Sequence, residues 1–149
     1  MIQLGEYNLK RIFASVLFLG MIFSSSVMAS ATEIQPFRAS PTLGGYNVWL
    51  FSGSGKGEII VSYEVSASIW ADSLGVERIR FYTEDGDLVD TVYGSTSNGL
   101  VRNNYSFHMA DFDYDLPSGE DYYAEVTVFA EYKGVYDSRT ITTNTVWVR

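Results

Sequence analysis

Beyond residue 41 the chain breaks into short runs in which apolar and polar residues alternate, separated by Gly, Asp, Asn and Ser. A two-residue period marks a half-buried β-strand. "YNVWLF" puts Tyr46, Val48 and Leu50 on one face and Asn47, Trp49 and Phe51 on the other. After the turn "SGSGKG", the run "EIIVSYEVSAS" sets Ile59, Val61, Tyr63 and Val65 opposite Ile60, Ser62, Glu64 and Ser66. "WADSLG" is too short for a stable helix and reads as one turn across the end of the domain. "VERIRFYTE" and "LVDTVY" follow as strands around the turn "EDGD", where Asp85-Gly86 suits a tight hairpin. Asn98-Gly99 marks another turn. A strand is expected near residues 105–109, the longest run is "YYAEVTVFAEY", and "TITTNTVWV" reads as one β-branched final strand. Seven short antiparallel strands in about 110 residues predict an all-β domain, a two-layer β-sandwich first and a small barrel second.

The beginning of the chain has a different pattern. Lys10 and Arg11 precede the apolar run "IFASVLFLGMIF", and "SSSVMASA" follows. The run is short for a bilayer span, and its flanks match a signal peptide. Small residues permit cleavage after Ala29 or Ala31; the second is preferred. The expected organisation is a signal peptide over 1–31, an irregular lead over 32–41 bracketed by Pro36 and Pro41, and the β-sandwich domain over 42–149. The expected destination is secretion, with no membrane association after cleavage.

Composition removes several functions. Residues 32–149 carry 17 acidic and 8 basic side chains, a net charge of −9. That field repels phosphate backbones, and basic clusters are missing, so nucleic-acid binding is not expected. The absence of Cys excludes thiol catalysis, disulfides and thiolate metal sites.

"LPSGEDYYAEVTV" resembles the loop and sixth strand of fibronectin type III and related immunoglobulin-like domains. Leu116 and Tyr122 have the six-residue spacing, with Gly119 between them and Pro117 one position earlier than usual. The resemblance implies that Leu116 plugs the core and that Tyr122 bonds nearby backbone as a tyrosine corner. The Cys…Trp…Cys pattern of antibody domains is missing. The chain also resembles small secreted proteins of Gram-positive gut bacteria in the segments 72–76, 92–96 and 137–140, a likeness that implies no particular activity.

Candidate chemistry is sparse. The lone histidine, His108, has no G-x-S-x-G elbow to serve and is expected to be a partly exposed strand or edge residue. Glu58 and Glu64, like Glu125 and Glu131, are spaced i, i+6 within strands, roughly 20 Å apart and too far for joint glycosidase work unless cross-strand pairing brings two of them together. Asp111, Asp113 and Asp115 match positions 1, 3 and 5 of a calcium loop, but Leu116 stands where that loop needs Gly, and Tyr122 where it needs Glu. If this stretch is extended, the three carboxylates face solvent while Phe112, Tyr114 and Leu116 face inward. "EDGD" and "EDYY" are lesser acidic spots. Trp49 and Trp147 are expected to fill the core, and Trp70 to lid one end of it; if exposed, such rings stack on sugars or dock proteins. Arg78 and Arg80, aligned with Tyr82, are either a recognition stripe or cross-strand partners of acids. The expected function is a secreted, non-catalytic interaction module for an extracellular protein or glycan, needing no cofactor. A carbohydrate-binding module, with or without calcium, is the second reading. A small secreted hydrolase or inhibitor is the third.

Overall fold

A computed structural model describes residues 42–149; the expectations for the signal peptide and the irregular lead fall outside the described residues. The strands are β1 (Leu43–Ser52), β2 (Glu58–Thr83), β3 (Leu88–Tyr93), β4 (Val101–Asp115), β5 (Glu120–Tyr132), β6 (Val135–Thr142) and β7 (Val146–Val148). All pairings are antiparallel. Together they form a seven-stranded sheet partly curled as a half-barrel. No helix among the described residues is long and apolar enough to cross a membrane.

The 26-residue β2 organises everything else. Fully extended it would run roughly 85 Å, far beyond the size of a domain of this length. It therefore bends, and its pairing shifts register between Ser66 and Ala71, Val76 and Arg78, and Phe81 and Tyr82. Its first part lies between β1 and β4, its last part between β3 and β5. Ile59, Val61, Tyr63 and Val65 from the first part, and Leu74, Val76, Ile79 and Phe81 from the rest, are buried with Ala124, Val126 and Val128 of β5. One bent strand thus lines most of the core.

Two expectations fail on this strand. "WADSLG" is not a turn: Ala71 pairs with Tyr105, while Ser73 faces Asn103 on one side and Glu131 on the other. Hydrogen-bond ladders on both sides outweigh the local turn preference of Asp, Ser and Gly. Gly75 makes the close packing possible. Its φ is +144°, and a Cβ there would stand 2.1 Å from the Leu100 carbonyl oxygen. Nor does Trp70 lid the core. It sits where the register slips and is 66 % exposed.

The expected last strand is divided into β6 and β7. Between them, side chains add to one backbone bond, from Thr143 N to the Ala124 carbonyl at 2.9 Å. Thr143 Oγ1 accepts from the Ala124 amide at 2.9 Å; Asn144 accepts from Leu50 N at 3.2 Å and donates to Leu50 O at 3.0 Å. The total of seven strands survives because one expected pair merged and one expected strand split.

The link from β4 to β5 closes the domain. Leu116 and Tyr122 are buried, and the Tyr122 hydroxyl donates to the Pro117 carbonyl at 2.9 Å. Gly119, at φ +96°, turns the chain between them.

Candidate functional site

The face of the β1–β2–β4 region turned away from the core is set by register alone. Side chains directly opposite one another share a face. Phe51, Ile60 and Asp113 therefore form one row, and Trp49, Ser62 and Asp111 the next. Asn47, Glu64 and Met109 follow, then Gly45, Ser66 and Phe107. Trp49 is 43 % exposed, Phe51 51 % and Met109 64 %, with Phe107 similarly open. Trp49 is thus outside the core, contrary to expectation. β1 is apolar on both faces, and its pairing with β2 turns Leu50, not Trp49, toward the buried Val61.

Asp111, Asp113 and Asp115 are extended and exposed on β4, while Phe112, Tyr114 and Leu116 turn inward. Alternate residues of a strand stand about 6.7 Å apart. Three carboxylates so spaced cannot all lie at the 2.3–2.6 Å that a calcium ion requires. Among the described residues no group of three or more His, Asp or Glu side chains is arranged to hold a metal. The segments 43–52, 58–66 and 105–115 contain no Lys or Arg, so this face is acidic and aromatic without internal neutralisation.

The two lesser acidic spots meet. Glu84, Asp85 and Asp87 from the β2–β3 turn and Glu120 and Asp121 from β5 line a cleft of about 320 Å³. Trp147, 53 % exposed, forms one wall, so it too lies outside the core. Its strand, β7, pairs with β5, not with β1.

His108 is a further correction, being buried at 2 % exposure. Nε2 donates to the Gly99 carbonyl at 2.8 Å and lies 2.8 Å from the Tyr63 hydroxyl, which also donates to Gly99 at 3.0 Å. The Tyr63 and His108 rings meet edge to face at 5.1 Å. Nδ1 is buried without a partner, which fits a neutral ring. Burial lowers the His108 pKa, the Gly99 bond opposes that, and nearby Arg102 adds to it. The polar contacts of His108 include neither a serine nor a carboxylate, so it is not the base of a Ser-His-Asp site. It pins the β3–β4 loop to the sheet. The signal was present in the sequence: counting back by twos from the Asp row puts Met109 and Phe107 outward and His108 inward.

Arg80 pairs with Glu125 at 2.5 Å, and the Tyr82 hydroxyl donates to the same carboxylate at 3.2 Å. Arg78 faces Tyr93 and Thr127. Glu58 accepts from the Gly55 amide at 2.6 Å. Glu64 lies opposite Asn47 and Met109, and Glu131 opposite Ser73 and Tyr136. No two of these four glutamates are cross-strand partners.

No protein-family model and no curated protein matches the sequence. Among solved structures, a family 76 glycoside hydrolase from a bovine Bacteroides thetaiotaomicron strain is similar at a TM-score of 0.40 and 14 % identity. The alignment covers 71 % of this chain but 20 % of the hydrolase. Similarity at that level speaks for neither a shared family nor a shared activity.

Proposed function

We propose that this chain is an exported, non-catalytic interaction module that binds its ligand on the outer face of β1, β2 and β4. The observation that supports this reading is the half-exposed set Trp49, Phe51, Phe107 and Met109 on one uncovered face. Contiguous exposed aromatic surface marks interaction sites, and Trp is favoured at binding hot spots. Export rests on the basic and apolar pattern of residues 10–31. The fold reading that goes with it is a two-layer sandwich of the immunoglobulin or fibronectin type III kind, with bent β2 passing between the layers. Its support is the buried Leu116 and the Tyr122–Pro117 bond. A second reading, carbohydrate binding, is favoured by the row in which Ser62 leaves a gap between the Trp49 ring and the Asp111 carboxylate.

The test is a panel of glycans and peptides presented to the full chain, its Trp49→Ala variant and its Trp147→Ala variant. Binding that Trp49→Ala abolishes and Trp147→Ala leaves intact supports the β1–β2–β4 face. Binding that only Trp147→Ala removes moves the site to the cleft. No binding to any member of the panel counts against an interaction module.

A further inference from the structure

We infer that the outer edge of β4 accepts an extended polypeptide segment of a partner protein, added as a further strand, with Lys or Arg at alternate positions facing Asp111, Asp113 and Asp115. The inference rests on the interaction-module reading and names the ligand's chemistry. β4 is fifteen residues long and, among the described residues, pairs with no strand but β2. Its inward-facing Ala110, Phe112 and Tyr114 are only half-buried, as expected at a sheet edge. An open edge is a template for strand addition.

Charge selects the occupant. The partner strand's outward side chains would stand directly opposite the β4 row, where opposite charges attract and like charges repel. Read from Asp115 toward Phe107, that row is acid, acid, acid, then Met109 and Phe107. Its complement in an antiparallel strand is three basic residues at alternate positions followed by two apolar ones. No Lys or Arg within residues 43–52, 58–66 or 105–115 competes for the carboxylates; Arg102, at the far end of β4, lies over the Tyr105 ring. A second copy of this chain is disfavoured at the same edge. Antiparallel self-pairing in this stretch sets Asp against Asp, or against Met109 and Phe107, and the chain's net charge of −8 adds repulsion. The row of acids thus guards the edge against self-association while leaving it open to a basic strand. A glycan offers no backbone amides at strand pitch, and a nucleic acid has the wrong charge.

The full chain is titrated with the peptide KTKTKTVTV, its isomer KKKTTVTTV, and ETETETVTV, with hydrogen exchange of the β4 amides as the readout. The expected result is salt-sensitive binding of the first peptide with slowed exchange along residues 105–115. It should exceed binding of the isomer, weaken roughly tenfold in Asp113→Lys, and switch toward the glutamate peptide in Asp111→Lys/Asp113→Lys. Asp111 and Asp113 are exposed, so folding is not at risk. Equal binding of the two lysine isomers, unchanged β4 exchange, or binding insensitive to Asp113→Lys overturns the inference. If those fail while Trp49-dependent binding of a glycan or neutral peptide persists, only the inference falls. If neither occurs, the module reading falls with it.

Discussion

Replacing Tyr122 by Phe removes one hydroxyl and leaves the ring in place. That hydroxyl donates to the Pro117 carbonyl at 2.9 Å and lies 3.3 Å from a Glu120 carboxylate oxygen. A typical intramolecular hydrogen bond contributes about 0.5–1.5 kcal/mol net, and leaving a buried partner unsatisfied costs more. Pro117 is exposed, so water can reach its carbonyl and the larger penalty does not apply. The expected loss for Tyr122→Phe is therefore about 1 kcal/mol, or roughly 4–6 °C in Tm for a domain of this size. Tyr122→Ala also removes a fully buried ring and should cost about 3–5 kcal/mol. Glu120→Gln separates the weaker contact and should cost under about 0.5 kcal/mol. Equilibrium urea unfolding with unchanged m-values is the assay. A Tyr122→Phe loss below about 0.3 kcal/mol would refute the hydroxyl's role. A Tyr122→Ala loss below about 1.5 kcal/mol would show that the ring does not close the core.

Three other outcomes are expected. Burial holds the His108 pKa below 6.5, so its contribution to stability is full above pH 6.5 and declines as pH falls below that value, the unfolded state then binding the extra proton. His108 is the chain's lone histidine, so His108→Gln should flatten the stability slope between pH 7 and 5.5 measured by urea unfolding; an unchanged slope contradicts a buried neutral ring. Burial drives Tyr63 up to about 12, so the ultraviolet titration difference between the chain and Tyr63→Phe should show this ring still protonated at pH 11, with stability falling as pH rises from 10 toward 12; its ionisation by pH 11 argues against its burial. Gly75→Ala, with its unfavourable φ and its 2.1 Å approach to Leu100, should cost about 3 kcal/mol, whereas Gly119→Ala, at positive φ but in open space, should cost about 1 kcal/mol; equal thermal shifts would show that crowding at Gly75 is relieved.

The sequence by itself determined that the chain forms strands, because alternation is a local property written residue by residue. It also placed the hairpin turns, the outward Asp111–Asp113–Asp115 row and the Leu116–Tyr122 closure, each of which depends on near neighbours. It did not determine which face of β1 is the core, since Tyr46, Val48 and Leu50 are no more apolar than Trp49 and Phe51. Pairing with β2 decided that, by committing Leu50 to the side of Ile59, Val61 and Tyr63. The same non-local pairing turned "WADSLG" into strand and supplied Tyr63 and Gly99 as the partners of His108, whose inward side the alternation of β4 already gave. It also gathered "EDGD", "EDYY" and Trp147 around one cleft. A local pattern cannot encode these outcomes. Backbone ladders and burial are contributed by residues distant in sequence, and where both faces of a strand are apolar, or a turn signal meets two open ladders, those distant partners set the result.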